Sequence, residues 1–314
     1  MLIGEGDHVY EVRHDWPQPP ERIRWGNTHA VQVDSEGFVY IFHTVHATSE
    51  SDHAMAIFDP DGRFVRSWGG QFAGGAHGMQ LRREEGAEVL YLTDVRRSIV
   101  QKTDLDGNVL LTLGYPTESP AYQRDEERRA AYWKPTNVAI AGNGDIYVAD
   151  GYGASYVVVF DREGRYKNTF GGGRTDAAGD LYCPHGIWID QRSGSEEVLI
   201  ADRMNRRLQY FDLDGNHLRF VDGVDLPCHF DTAPDGTLLI PDLARRVTLM
   251  DAQNRVLAHL GEGLDDWEQR REGTRDQFLP GKFVCPHGAC FDAARNIYVT
   301  EWVEIGRVTK LVRQ

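Results

Sequence analysis

Apolar and polar residues alternate along this chain with a period of two, in short stretches closed by turns. Val31, Val33, Val39 and Ile41 follow that pattern, and so do Val138, Ile140, Ile146 and Val148. A period of two is the signature of a strand, not of a helix. The stretches come in pairs, and the pairs recur. HAVQVDSEGFVYIFH from His29, HGMQLRREEGAEVLYLTD from His77 and TNVAIAGNGDIYVAD from Thr136 align with one another. HGIWIDQRSGSEEVLIAD from His185, CHFDTAPDGTLLIPD from Cys228 and HGACFDAARNIYVTE from His287 continue the series. A second hairpin follows, as in MAIFDPDGRFVRSWGG, VVVFDREGRYKNTFGG and LQYFDLDGNHLRFVDG. Its Asp-Gly or Glu-Gly is expected to supply the φ > 0 positions of a hairpin turn. Each repeat therefore reads as four antiparallel strands. Six such repeats of about fifty residues predict an all-β fold, a six-bladed β-propeller. A tandem array of β-sandwiches is the alternative, and no stretch between repeats has the composition of a linker.

The last repeat ends at Val308-Thr-Lys-Leu-Val312 and lacks a fourth strand, while Val9-Tyr-Glu-Val-Arg13 is a strand without a repeat of its own. Pairing the two closes the last blade and removes a sheet edge. Residues 1–314 then form one domain. Two stretches break the repeat, 117–134 and 262–283, each a charged, helix-like run before the first strand of a blade. They read either as solvated loops or as segments overhanging the propeller mouth.

Composition narrows the function. Lys and Arg number 34 against 48 Asp and Glu, a formal charge of −14. That balance excludes a nucleic-acid groove as the main function, because phosphate binding needs a basic face. No apolar run approaches the ~18 residues of a membrane span, and the N-terminus has no secretory leader pattern. Cys183, Cys228, Cys285 and Cys290 form no CxxC pair. A reducing, cytoplasmic location is expected, with a trimmed secreted form left open.

The first residue of the innermost strand in blades one to six is His29, His77, Thr136, His185, Cys228 and His287. Three of these share one word: Ala76-His77-Gly78, Pro184-His185-Gly186 and Pro286-His287-Gly288. They fall on blades two, four and six, and alternate blades of a six-fold ring are related by about 120°. Three imidazoles converging on the axis make a trigonal set with an open fourth position, as a catalytic Zn²⁺ site has. A bias of histidine toward the turn before a strand is the alternative, and three histidines at symmetric positions weigh against it. His29 and His229 are further candidates for ligand or substrate contacts. A second column, Asp94, Asp150, Asp202, Asp242 and Glu301, with His43 in blade one, ends the second strand. Such residues most simply bond nearby backbone. Just past that column the repeats diverge, giving Asp150-Gly151-Tyr152 in blade three and Ala201-Asp202-Arg203 in blade four. A tyrosine beside a cation can ionise below its ordinary pKa of ~10 and act as a base. An arginine can hold a carboxylate or a developing oxyanion. Arg96, Arg97, His43 and Trp302 are candidate substrate contacts at the same level.

These words resemble those of peptidyl-α-hydroxyglycine α-amidating lyase, within the wider group of NHL-repeat propellers. The resemblance covers roughly residues 25–305 and is strongest from His77 to Phe211. It implies metal ligation by His77, His185 and His287, a catalytic role for Tyr152 and a substrate-orienting or charge-stabilising role for Arg203. It implies zinc as the usual metal, and cleavage of a carbinolamide C–N bond to an amide and glyoxylate. The chain departs from the family at three points. Thr44 follows Phe42-His43, where the family has a second arginine. Gly288 follows His287, where the family has an aspartate that helps hold a structural calcium, which counts against calcium here. Gly153 follows the DGY word in place of a disulfide cysteine. The departures point away from peptide amidation and toward a relative using the same centre on another small molecule. The leading expectation is a metal-dependent lyase acting on a C–N or C–O bond next to a hydroxyl or carbonyl carbon. A metal-dependent hydrolase or lactonase, and a non-enzymatic NHL-type binding scaffold, are the alternatives.

Overall fold

The computed structural model describes residues 1–314, the side chain of Ala130 excepted. Almost all regular structure is β, in six antiparallel sheets: the six blades of a β-propeller. They fall into two compact units. One comprises Met1–Ala76 with Cys228–Gln314, the other His77–Pro227.

The unit His77–Pro227 holds blades two, three and four. Blade three runs Asn137–Ile140, Ile146–Ala149, Tyr156–Phe160 and Tyr166–Gly171; blade four runs Pro184–Asp190, Glu197–Asp202, Arg207–Phe211 and His217–Val221. Residues of the inner strands are buried on both faces, whereas His217–Val221 alternates between half-buried and exposed. The reason is packing between blades. Ala139, Tyr147 and Val157 of blade three share a core with Ile187, Val198 and Phe211 of blade four. An inner strand thus reads as a continuous apolar run, while an outer strand keeps one wet face.

The other unit holds blades five, six and one. Blade six runs Pro286–Phe291, Ile297–Glu301, Arg307–Arg313 and then His8–His14, in register Tyr10↔Arg313 to His14↔Thr309. The N-terminal segment closes the last blade, as the sequence predicts. It also adds a fifth strand that the repeat does not announce, Leu2–Glu5, paired with His8–Glu11. Tyr10 from the closing strand is buried with Leu239, Leu249, Ile297, Val299 and Leu311.

The hairpin turns refine one expectation. In Asp59–Arg63 only Gly62 is left-handed, at φ 86°. Asp59 instead accepts the Arg63 N–H at 2.8 Å through Oδ1. The aspartate caps the turn and the glycine alone supplies the left-handed residue, a type I turn with a bulge.

Both insertions contain the helical turns their composition suggests, Glu126–Tyr132 and Trp267–Arg271. Each packs onto the blade it precedes. Tyr122 and Trp133 join the core of blades two and three. Arg271 stacks on the Trp302 ring at 3.4 Å, and Arg275 donates to the Gly306 carbonyl at 2.9 Å. Among the described residues no helix is long and apolar enough to cross a membrane. The four cysteines are buried and form no disulfide among the described residues.

Candidate active site

The acid column is fully buried and works as a set of caps. Asp202 accepts the Tyr182 N–H at 2.8 Å, and Glu301 accepts the Val284 N–H at 2.7 Å. Asp94 accepts the N–H groups of Arg96 and Arg97 at 2.9 and 2.8 Å. These carboxylates pin the segments beside the second strand of each blade. Those segments include the ones that carry Tyr152 and Arg203.

Within His77–Pro227, four of the candidate residues meet. Tyr152 Oη lies 3.2 Å from His77 Nε2 and 3.0 Å from His185 Nε2. The two imidazole centroids are 4.9 Å apart. His77 Nδ1 lies 2.7 Å from the Thr136 carbonyl. A carbonyl only accepts, so Nδ1 carries the proton and Nε2 presents its lone pair. One phenolic proton cannot serve both Nε2 atoms. Arg203 completes the group. Its guanidinium sits 5.4 Å from the Tyr152 ring centroid, with Nη1 3.5 Å from the phenol oxygen. Both histidines are buried, at 1% exposure, while Tyr152 is 39% exposed, so the phenol faces the solvent side of the cluster.

The other unit pairs two of the candidates. His29 Nδ1 lies 3.4 Å from His287 Nε2, and the rings cross at 88°. His287 Nδ1 lies 2.8 Å from the His29 carbonyl. The tautomer of His287 is therefore set in the same way as that of His77. A backbone carbonyl on the far nitrogen is the usual partner of a metal-ligating histidine.

The remaining candidates have other surroundings. His43 is sealed in the core with its ring 4.7 Å from that of Trp25. Its Nδ1 accepts the Val45 N–H at 3.1 Å, and burial brings its pKa down to about 3. It caps a turn. His229 is buried too, and burial brings its pKa down to about 4. Arg97 is bound to Asp94 at 2.6 Å, Arg96 is exposed, and Trp302 lies under Arg271. Two residues that sequence reasoning passed over join the cluster instead. Cys183 Sγ lies 3.2 Å from Arg203 Nη2, and burial, the largest influence, raises its pKa, so the thiol stays neutral. Arg174 donates to the Ser155 hydroxyl and the Gly153 carbonyl, bracing the turn after Tyr152. Cys183 was legible as the neighbour of the Pro184-His185 word. Arg174 carried no signal.

Six antiparallel blades with histidines at several inner-strand starts define a β-propeller. The proteins it resembles include amidating lyases and NHL-repeat proteins. Peptidyl-alpha-hydroxyglycine alpha-amidating lyase 1 of Drosophila melanogaster is 28% identical over 234 residues, covering 65% of this chain and 41% of that protein. NHL repeat-containing protein 3 of Homo sapiens is 26% identical over 242 residues, covering 74% of this chain and 65% of that protein. The chain thus spans less than two thirds of the length of either relative. No family model matches. Among solved structures, virginiamycin B lyase from Staphylococcus aureus superposes with a TM-score of 0.59 at 11% identity, over 96% of this chain and 99% of that one. A gluconolactonase from Xanthomonas campestris gives 0.63 at 14% identity, over 98% and 91%. These two show the fold alone.

Proposed function

We propose that this chain is a metal-dependent, lyase-type propeller enzyme acting on a small hydroxylated substrate. His77 and His185 are metal ligands, and Tyr152 is the base. The observation that carries the reading is the position of Tyr152 Oη, within 3.2 Å of two imidazole Nε2 atoms whose strands start alternate blades. The donors fit the ion: neutral imidazoles suit zinc, and the carbonyl bond of His77 favours its ligating tautomer. When bound, such an ion supplies a Lewis acid that polarises the substrate oxygen.

The chain's own groups supply the rest. Tyr152 Oη takes the proton of the substrate hydroxyl. The electron pair released on that oxygen forms a carbonyl, and the neighbouring C–N or C–O bond breaks. The leaving nitrogen or oxygen receives a proton, returned by Tyr152 or by water. Arg203 orients an anionic group of the substrate, and its charge favours the phenolic oxyanion beside it. Similarity to the amidating lyases makes a carbinolamide the first substrate to test, although the departures at Thr44, Gly153 and Gly288 favour another small hydroxylated molecule.

The test is direct. Zinc-loaded protein is incubated with an N-acyl-α-hydroxyglycine, and glyoxylate release is followed. Release by the wild type and its loss in Tyr152→Phe, with metal content unchanged, are expected. Equal rates in the two proteins would remove Tyr152 from the mechanism, and a metal-free, inactive preparation would leave a binding scaffold.

A further inference from the structure

Blade three departs from the repeat at a single carboxylate. In four blades the acid ending the second strand meets an arginine of its own blade. Asp94 pairs with Arg97 at 2.6 Å, Asp202 with Arg207 at 2.9 Å, Asp242 with Arg246 at 3.3 Å, and Glu301 with Arg307. Asp150 pairs with no cation among the described residues, and its donors are neutral. Tyr122 Oη donates to Oδ2 at 2.6 Å, the Ala154 N–H to the same oxygen at 2.6 Å, and the Lys134 N–H to Oδ1 at 2.7 Å. Tyr122 comes from insertion 117–134, so the insertion takes the place that an arginine fills elsewhere.

Asp150 opens the turn that carries Tyr152. Its carbonyl accepts the Ser155 N–H at 3.0 Å, and the Tyr152 N–H approaches the Lys134 carbonyl at 3.4 Å. The turn runs directly against the carboxylate: a Cβ on Gly153 would lie 2.2 Å from Asp150 Oδ1. We propose that Tyr122 is a positioning residue for Tyr152. Its hydroxyl anchors Asp150, and Asp150 sets the turn that holds the Tyr152 phenol between His77 and His185. The inference rests on the reading of Tyr152 as base. Burial pushes the Asp150 carboxyl up to about 6, in keeping with a group that depends on its hydrogen-bond donors.

Tyr122 lends itself to a clean test. Its ring is buried against Trp133, Tyr115 and Tyr156, with centroids 5.6, 5.6 and 5.9 Å away. Tyr122→Phe therefore keeps the packing and removes one hydrogen bond. Two readouts are taken on the full chain, with zinc and after chelation. The first is glyoxylate release from an N-acyl-α-hydroxyglycine. A fall in kcat of about tenfold or more, with KM within about twofold of wild type, is expected of a displaced catalytic group. The second is the imidazole ¹⁵N signals of His77 and His185, which should move in the direction seen in Tyr152→Phe. Wild-type kcat and unmoved signals in a folded Tyr122→Phe protein overturn the proposal. If the wild type releases no glyoxylate, the lyase reading falls and the imidazole signals alone decide the positioning role. If Tyr122→Phe does not fold, Asp150→Asn is measured in the same way, with the same two signals expected to move and their constancy overturning the proposal.

Discussion

Two regions of the molecule offer histidines from the starts of inner strands, and they are furnished differently. In His77–Pro227 the histidines stand around a phenol with a guanidinium beside it. In the unit of Met1–Ala76 and Cys228–Gln314, His287 has a second imidazole, His29, as its neighbour. The same repeat thus supplies imidazoles in both units, but a phenol and a guanidinium beside them in one. A repeat fold places equivalent positions by symmetry; chemistry enters where a blade breaks that symmetry.

The comparison breaks first at Tyr152. Tyr152→Phe is expected to lower kcat by ~10²–10⁴, the usual worth of a general base. A loss of only a few-fold would make the two units equivalent in chemistry. Next comes Arg203→Lys, which loses the planar fork. An increase in KM of about tenfold or more for an anionic substrate is expected in steady-state assays. An unchanged KM would assign the guanidinium to bracing Tyr152 alone. His29→Ala should be milder than Tyr152→Phe, lowering kcat by about tenfold, the lower end of what loss of a ligand-type histidine's partner costs. A loss matching that of Tyr152→Phe would move the chemistry into the other unit.

A stability effect, with no change in turnover, separates a structural histidine from the site. His43 has a folded pKa of about 3 against an ordinary 6.5, so folding favours its neutral form. Its contribution is present above pH ~6.5 and is lost as the pH falls from there toward 3, at up to ~1.4 kcal/mol per pH unit. Buried Asp150 and Asp231, with pKa raised to about 6, act in the opposite direction below that pH. The difference between variant and wild type isolates His43. Denaturant melts of His43→Gln should therefore lose less stability than wild type between pH 6.5 and 4, and equal slopes would contradict the assignment.

The blades were legible because their signals are local: a period of two and an Asp-Gly or Glu-Gly turn. Leu2–Glu5 was missed because a four-residue strand holding Gly4 carries little periodicity. The inner strand of blade five is likewise only Asp231–Thr232, and Cys228 continues it by donating to the Pro241 carbonyl at 3.0 Å. Tyr152 and Arg203 were legible because they stand where aligned repeats stop agreeing. The roles of Tyr122 and Cys183 were not. Tyr122 and Asp150 lie 28 positions apart, Cys183 and Arg203 20 apart, and no periodicity links either pair. His43 shows the converse: a residue in the right column turned out to cap a turn, because a column fixes a backbone position and leaves burial open.

Metal analysis of the purified protein tests the central claim most directly. The account predicts about one zinc per chain, retained in Tyr152→Phe and lost from a His77→Ala, His185→Ala double variant that stays folded. Substoichiometric metal in the wild type, or undiminished metal in the folded double variant, would contradict it.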